Sequence, residues 1–267
     1  MRQLSAGVEP ICVTRLRDGH TLWVRLDDRS GRALFYFGNF DRRLTWLLGR
    51  VLRDGDVFVD IGANYGLLSV WAAGIVGPTG RVHAFEPQPG ILELLRRSVA
   101  DNSLDQVTVY PLALSDQDGT MQLWVPDGHV GSASLTRIGE SRGAPQDVEV
   151  RHAGEYLRSL GLSKVRLMKV DVEGHEDFVF QGAADWMGSP GPDVVIFEWN
   201  DPRPLVGSPT ANLLNDLSYR VYGINEDPWR VRLHPLGTGA QRANDYLAAR
   251  TETLRQGLAA RLAITLD

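Results

Sequence analysis

The sequence has little cysteine, little lysine and no long apolar run. Cys12 is the single cysteine among 267 residues, which excludes an internal disulfide, a zinc finger and an iron–sulfur cluster. Such a chain fits a reducing compartment, so we expect a cytoplasmic protein. The longest apolar stretches, such as Val70–Val76, are far shorter than the roughly 20 residues that cross a bilayer. The N-terminus also lacks the apolar segment of a secretory signal, so we expect neither a membrane span nor a signal peptide.

Positive charge is carried almost entirely by arginine and is concentrated near the N-terminus. Of the 28 cationic side chains, only Lys164 and Lys169 are lysines. Residues 1–53 contain ten arginines and five acidic residues, a local charge of +5. Because the net charge of the whole chain is −5, residues 54–267 carry −10. A basic segment on an acidic body can contact an anionic partner. No basic stripe or RNA-binding motif accompanies it, and nucleic acid is therefore not an expected partner.

The first fifty residues have a pattern of their own. Two short strands, Ile11–Arg15 and Thr21–Arg25, are predicted on either side of a turn. The aromatic segment Phe35–Phe40 follows, and then a helix from about Asp41 to Leu52, with Asp41 as its N-cap. We predict that residues 1–53 form an extension to one larger domain, residues 54–267.

From Asp56 onward, apolar strands alternate with helices. The predicted strands are Val57–Ile61, Arg81–Glu86, Val107–Leu112, Val165–Val170 and Val194–Phe197. The predicted helices between them are Leu67–Val76, Gly90–Ala100 and Glu176–Met187. This alternation is typical of a doubly wound, mostly parallel α/β sheet.

Further elements are predicted around this alternation. Thr120–Val125 indicates an additional β-element, and residues 126–145, which are rich in Gly and Ser, indicate a long loop. The C-terminal part predicts an antiparallel hairpin formed by Tyr219–Ile224 and Val231–His234, followed by a helix over Ala240–Ala260.

Acidic residues end the first strands of this pattern. Asp60 precedes the glycine loop that runs to Gly66, and Asn64 stands where a dinucleotide fingerprint needs its second glycine. A carboxylate here would repel a pyrophosphate but suits a ligand that carries an ammonium group. Glu86 ends the second strand, where an acidic side chain accepts from both ribose hydroxyls. Asp116 follows the third strand and is placed to meet an adenine amine.

Three carboxylates around one crevice describe a cationic nucleoside. S-adenosylmethionine, with its sulfonium and ammonium groups, fits them better than NAD does. Two alternatives stay open: a nicotinamide or nucleotide-sugar enzyme on a similar sheet, and a catalytically silent binding module. Asp and Glu also cap helices and turns, which is the structural alternative for each carboxylate.

Four segments together resemble the FkbM family of methyltransferases: VFVDIGANYG at 57–66, HAFEP at 83–87, ALSD at 113–116 and MKVDVEGHE at 168–176. The resemblance implies a class I, Rossmann-like methyltransferase fold with a seven-stranded, mostly parallel sheet, and S-adenosylmethionine as cofactor. It implies methyl transfer to a hydroxyl of a sugar, glycolipid or polyketide. Where the family often has Leu-Asp-Asp, this chain has HAGE at 152–155, so no role is carried over there. The implied cofactor-binding residues are Asp60, Gly62, Ala63, Asn64, Tyr65, Gly66, Glu86, Pro87, Ser115 and Asp116.

The last two strand ends supply the candidate catalytic groups. Asp171, at the end of the fourth strand, is expected near the transferred methyl group, and Glu173 and His175 follow it. His175 could act as a base at neutral pH. Glu198 and Asn200 end the fifth strand, and together with Asp171 they offer oxygen ligands that suit Mg²⁺, similar to the arrangement in catechol-type O-methyltransferases.

The acceptor is expected to be a small molecule with a hydroxyl group. Aromatic side chains line small-molecule pockets and stack on sugar faces, and several cluster in the N-terminal extension. We predict that this extension is a lid over the strand ends and that residues 131–134 form the opposite lip; an ordinary hydrophobic core is the alternative. A homo-oligomer remains open.

Overall fold

The structure is a computed structural model that describes residues 10–39, 41–126, 133–135, 145–225, 231–237 and 243–265. Within these ranges no helix is long and apolar enough to cross a membrane. Phe40 of the predicted aromatic segment and residues 131 and 132 of the predicted lip lie outside the described residues, as does most of the long loop predicted over residues 126–145.

The N-terminal extension is a two-stranded ribbon followed by two helices. Both strands have the predicted bounds, and Asp41 caps the second helix by accepting from the Leu44 N–H. The first helix was not predicted, because three consecutive aromatic residues indicate no period; it is capped by Asp28, which accepts from the Gly31 N–H. In order, the elements are β1 (Ile11–Arg15), β2 (Thr21–Arg25), α1 (Arg29–Phe37) and α2 (Arg42–Val51).

An eight-stranded sheet organises the rest of the chain. Five adjacent strands are parallel, and three further strands, joined by antiparallel pairing, extend one edge. The predicted seven-stranded, mostly parallel α/β sheet with its C-terminal antiparallel hairpin is confirmed, and one unpredicted strand between the hairpin and the parallel strands adds an eighth. Its strands, in spatial order, are β12 (Leu233–Pro235), β11 (Tyr219–Ile224), β13 (Asp245–Arg250), β10 (Gly191–Glu198), β9 (Lys164–Val170), β3 (Val57–Ile61), β4 (Arg81–Phe85) and β5 (Val107–Tyr110).

Helices cover both faces of this sheet. Alternate strand residues enter opposite cores: Phe58 and Leu167 pack on one side, and Val59 and Met168 on the other. Burial on both faces explains why these strands are nearly continuous apolar runs. The covering helices are α3 (Leu67–Val76), α4 (Pro89–Asp101), α5 (Ala153–Ser159), α6 (Glu176–Met187) and α7 (Pro209–Asp216).

A second, three-stranded sheet stands beside the first. It is formed by β6 (Ala113–Ser115), β7 (Gly119–Leu123) and β8 (Gln146–His152), with β8 in the middle. The additional β-element predicted at Thr120–Val125 is β7. The strand predicted over Val107–Leu112 is too long at its C-terminal end. β5 stops at Tyr110, and the chain then enters the second sheet.

The helix predicted over Ala240–Ala260 is wrong in its first half. Within the described residues this part begins with β13, whose Leu247, Ala248 and Ala249 are buried between β10 and β11. An alanine-rich apolar run favours a helix by propensity, and only the sheet on both sides of it selects a strand. Helical turns follow: α8 (Thr251–Thr253), a π-helical turn (Leu254–Leu258) and α9 (Ala259–Leu262).

The strand order reverses at β3, which has β4 on one side and β9 on the other. Ligands of open α/β sheets bind outside the carboxyl ends of the strands at such a point. The ends of β3, β4, β9 and β10 therefore define where the site lies.

Candidate active site

The loop after β3 is pressed against the end of β9. Gly62 has φ +78°, and a Cβ atom there would lie 1.9 Å from the carbonyl oxygen of Asp171. Asn64, with φ +53°, makes the next turn before α3 begins. Only glycine tolerates both the backbone angle and the contact at position 62. The sequence pattern of the loop thus brings its backbone to the strand ends.

A buried lysine joins two of the predicted carboxylates. The Nζ atom of Lys169 lies 3.5 Å from Asp60 Oδ1 and 3.4 Å from Asp171 Oδ2, and it donates to the Gly62 carbonyl at 2.7 Å. Burial by itself would lower the pKa of Lys169, but Asp171 and Asp60 outweigh it and raise this pKa. Lys169 was not predicted as a site residue. Its signal was available, because it is the first residue of the K-x-D-x-E-G segment and one of only two lysines.

Asp60 itself is fully buried. Its Oδ2 atom accepts from the Ser69 hydroxyl at 2.6 Å, whereas Oδ1 has no hydrogen-bond partner among the described residues. The ion pair with Lys169 is the contact of Oδ1, and a buried carboxylate oxygen that accepts no hydrogen bond can still take one from a bound donor.

Glu86 anchors the glycine loop from the end of β4. Its two oxygens accept from the backbone N–H groups of Asn64, at 2.8 Å, and Gln88, at 2.9 Å. Burial raises the pKa of Glu86 to about 7, and the two N–H groups oppose this shift. Glu86 also lies in the wall of a cavity, and its role in binding the cofactor stays a prediction.

Two cavities lie at these strand ends. The first contains about 640 Å³ of open space, and Glu86, Pro87, Leu114 and His175 are among its lining residues. The second contains about 510 Å³. Its wall is formed by the N-terminal extension and the glycine loop, with Ser30, Leu34, Asp41, Leu44, Asp60, Ala63, Tyr65 and Lys169 among the lining residues. Gly62, Asn64 and Asp171 line both cavities, so the two meet at the tips of β3 and β9.

Ser115 and Asp116 stand behind His175. The Ser115 hydroxyl donates to Asp116 Oδ1 at 3.0 Å and lies 2.8 Å from His175 Nε2. Among the described residues that line the first cavity, His175 is present and the other two are absent. The sequence predicted Ser115 as a cofactor-binding residue and Asp116 as the partner of the adenine amine, and direct contact of either with the cofactor stays a prediction.

His175 does not have the surroundings of a base at neutral pH. The side chain is 2% exposed and stacks on Phe178 at 4.5 Å between ring centroids. Burial lowers the pKa of His175 to about 4, against a weaker opposing effect of Asp116. A neutral ring of such low basicity accepts a proton poorly at pH 7. We therefore do not retain the expectation that His175 is the base.

Three carboxylates converge at the ends of β9 and β10. Asp171, Glu173 and Glu198 each offer an oxygen, and these atoms lie within 4.8 Å of one another. Burial and then the nearby Asp171 raise the pKa of Glu198 well above its ordinary value, so Glu198 holds a proton. The Asn200 amide donates to Glu198 at 2.8 Å and to Glu173 at 3.3 Å. Asp171, Glu198 and Asn200 were the residues predicted to bind a metal. In the structure the Asn200 amide positions the carboxylates, and Glu173 is the third member of the carboxylate cluster.

The N-terminal extension and one segment of the long loop both reach this site. Tyr65, which was predicted as a cofactor contact, is buried and donates its hydroxyl to Asp28 at 3.1 Å. On the opposite side, the Ser134 hydroxyl donates to the Glu173 carbonyl at 2.6 Å, and Ala133 lines the first cavity. Gly66 serves packing, because a Cβ atom there would meet Leu95 at 2.4 Å.

Comparisons with known proteins agree with this arrangement. Residues 60–223, more than half of the chain, match the model of the methyltransferase FkbM domain. The chain is 27% identical over 215 residues to a 31-O-demethyl-FK506 methyltransferase FkbM from Streptomyces tacrolimicus, covering 69% of this chain and 81% of the relative. It is 29% identical over 170 residues to methyltransferase sdnD from Sordaria araneosa, covering 53% and 65%.

A solved structure shows the same fold. The S-adenosylmethionine-dependent methyltransferase from Agrobacterium tumefaciens superposes with a TM-score of 0.52 at 8% identity, over 93% of this chain and 72% of that one. The fold, the strand-end carboxylates and the matched domain agree. The chain belongs to the FkbM methyltransferase family and is an S-adenosylmethionine-dependent methyltransferase with a class I fold.

Proposed function

We propose that the enzyme methylates a hydroxyl group of a small molecule of the sugar, glycolipid or polyketide type. The observation that carries this proposal is the junction of the two cavities at Gly62, Asn64 and Asp171, which puts a carboxylate where a ligand crosses between them. Clefts at the carboxyl ends of sheet strands are typical places for small-molecule sites. One relative is named as a methyltransferase of 31-O-demethyl-FK506, which supports an oxygen acceptor.

The two cavities fit the two ends of S-adenosylmethionine. Glu86 offers paired acceptors for a ribose in the first cavity, so we place the adenosine there, next to Pro87. Oδ1 of Asp60, which pairs with Lys169 but accepts no hydrogen bond among the described residues, suits the ammonium group of the amino-acid end in the second cavity. Gly62 lines both, and its carbonyl already faces Lys169. When bound, the cofactor supplies an electrophilic methyl group.

Asp171 is our candidate for the proton acceptor. It lines the junction, and its side chain is 37% exposed, so an incoming hydroxyl can reach it. Glu198, whose pKa is raised by burial and then by Asp171, is the weaker candidate for an ionised base. Lys169 pairs with the Asp171 carboxylate at 3.4 Å, and the Asn200 amide joins Glu198 to Glu173. Asp171 then takes the proton that the acceptor hydroxyl loses on methylation.

The same carboxylates carry a second proposal, in which Mg²⁺ holds the acceptor. Asp171, Glu173 and Glu198 would bind the ion, and its charge would lower the pKa of the acceptor hydroxyl. Chelation distinguishes the two proposals. A metal-dependent enzyme loses its activity after exhaustive EDTA treatment and regains it with added Mg²⁺. Activity that survives this treatment would favour the first proposal, in which a carboxylate takes the proton without a metal.

The extension is proposed to be a lid that closes the second cavity. Ser30 and Leu34 of α1 and Asp41 and Leu44 of α2 line the second cavity. Removing residues 1–35 outright would delete core residues such as Leu22 and Val24, so single substitutions are the better test. Ser30→Trp, which fills part of the second cavity, should weaken the binding of S-adenosylhomocysteine, whose amino-acid end we place there. Tyr36→Trp, at an exposed position on the same helix, is the matched control.

Labelled cofactor tests the acceptor class. The enzyme is incubated with S-adenosylmethionine bearing a deuterated methyl group and with panels of sugars, glycolipids and macrocyclic polyketides. We expect the label in a methyl ether of one panel, located by tandem mass spectrometry. Label found only on nitrogen or carbon would contradict the proposal. We also propose that the enzyme is cytoplasmic and that nucleic acid is not its substrate. Added RNA should therefore compete with neither S-adenosylmethionine nor the acceptor.

A further inference from the structure

Three side chains behind the first cavity determine one another's protons. The Ser115 hydroxyl has a single hydrogen, which it donates to Asp116 Oδ1 at 3.0 Å. The same oxygen lies 2.8 Å from His175 Nε2. Because the hydroxyl hydrogen is already engaged, this contact requires a hydrogen on Nε2, which donates to the Ser115 oxygen. A neutral imidazole protonated on Nε2 has a bare acceptor at Nδ1.

This nitrogen is buried and accepts no hydrogen bond within the described part of the chain. His175 is 2% exposed, and its Nδ1 atom has no hydrogen-bond partner among the described residues. The ring cannot turn away easily, because Ser115 holds one edge and Phe178 stacks on its face. His175 is among the residues that line the first cavity, and buried acceptors are normally paired, so the unpaired Nδ1 suits a donor from a bound ligand.

We propose that His175 determines the specificity for the nucleobase of the cofactor, with Nδ1 accepting a hydrogen bond from the exocyclic amine of adenine. The inference rests on the placement of adenosine in the first cavity. Glu86, in the same wall, serves the ribose, and Leu114 beside it offers an apolar contact for a base. The exocyclic amine is the N–H donor that an adenine ring carries. Asp116 acts through Ser115 as a positioning residue that fixes the tautomer.

The proposal predicts discrimination between two nearly identical ligands. S-inosylhomocysteine differs from S-adenosylhomocysteine at the base edge, where a carbonyl oxygen replaces the amine. That oxygen would face the lone pair of Nδ1. The wild-type enzyme should therefore bind S-adenosylhomocysteine about 10- to 100-fold more tightly, the scale of one buried hydrogen bond left unmade.

Calorimetric titration of both ligands into wild type, His175→Phe and His175→Asn tests this. The phenyl ring keeps the stack on Phe178 but has no acceptor, so preference for S-adenosylhomocysteine should fall to about threefold or less. Asparagine can place an amide oxygen near the Nδ1 position and should retain part of the preference. A structural role alone would weaken both ligands equally in His175→Phe, and that result would overturn the proposal.

A second measurement needs no variant. The ¹⁵N chemical shifts of the His175 ring in the wild-type enzyme report its tautomer, and we expect the Nε2–H form, with an Nδ1 shift that changes on adding S-adenosylhomocysteine. An Nδ1–H tautomer would contradict the proposal even if His175→Phe did not fold. If S-adenosylhomocysteine does not bind the wild type, the proposed cofactor placement fails as well; if it binds without preference, only the role of His175 fails.

Discussion

The hydroxyl of Tyr65, in the cofactor loop, donates to the carboxylate of Asp28 at 3.1 Å. Asp28 is fully buried and also caps α1 by accepting from the Gly31 N–H at 2.8 Å. Burial, and then the charge of Asp28, raise the pKa of Tyr65, so the hydroxyl remains a donor. One carboxylate thus fastens the N-terminal extension to the glycine loop, across 37 residues of sequence.

Removing this carboxylate should loosen the extension. Asp28→Ala deletes a helix cap and leaves the Tyr65 hydroxyl without this acceptor, and we expect it to cost about 1–3 kcal/mol in the free energy of unfolding. Tyr65→Phe should cost less, because the cap survives. Asp27→Ala is the control: its ion pair with Arg25 is largely exposed, and its loss should cost about 1 kcal/mol or less. Urea titrations compare the three, and equal costs for Asp28→Ala and Asp27→Ala would contradict the fastening role.

Lys169→Met should be one of the most destabilising substitutions in the chain. It leaves the buried carboxylate of Asp60 without its cation and removes the bond to the Gly62 carbonyl. Breaking a buried ion pair from one side costs about 3–5 kcal/mol. Lys164→Met is the matched control, because the only other lysine is exposed at the start of the same strand.

The double variant Asp60→Asn with Lys169→Met separates charge from packing. With no lone carboxylate left at position 60, it should regain part of the stability that Lys169→Met loses. A Lys169→Met protein as stable as Lys164→Met in denaturant titrations would show that the pairing of Lys169 and Asp60 contributes little.

Cofactor binding should depend on pH through Glu86. Burial raises the pKa of Glu86 to about 7 in the free enzyme, while paired ribose hydroxyls favour the ionised carboxylate. Affinity for S-adenosylhomocysteine should therefore rise with pH, by up to about tenfold between pH 6 and 8, with release of a proton on binding. The same shift means that ionisation of Glu86 disfavours folding. The contribution of Glu86 to the free energy of unfolding therefore falls as the pH rises from the ordinary pKa of a glutamate to about 7.

Calorimetry in buffers of different ionisation enthalpy measures this proton release directly. Glu86→Gln should bind more weakly, with an affinity that no longer changes over this pH range. An equally steep pH dependence in Glu86→Gln would assign the titration to another group.

Asp171→Asn tests the proton acceptor. The amide cannot take the acceptor's proton, so kcat should fall by about 100-fold or more, the usual contribution of a general base. Affinity for S-adenosylhomocysteine should change little, because Asp171 lies at the junction and Asp60 and Glu86 hold the two ends. Asp171→Glu should recover part of the rate. A normal kcat in Asp171→Asn would remove Asp171 from the chemistry.

The sequence located the strand ends well and the contacts between them poorly. Asp60, Glu86, Asp171 and Glu198 were predicted at one edge because short apolar runs ending in acids indicate parallel strands. The link between Ser115 and His175 joins positions 60 residues apart, and no periodicity specifies it. β13 was assigned to a helix for a similar reason, since its strand conformation depends on two neighbours that are distant in sequence.

Titration of S-adenosylhomocysteine and NAD into wild type and Glu86→Ala tests whether the strand-end carboxylates bind the cofactor, with Glu93→Ala, at an exposed position on α4, as the control. Wild type and Glu93→Ala should bind S-adenosylhomocysteine alike and should not bind NAD. Glu86→Ala should stay folded and lose about 1–3 kcal/mol of binding free energy. Equal affinity of Glu86→Ala and wild type for S-adenosylhomocysteine, or binding of NAD alone, would contradict the site described at the ends of β3 and β4.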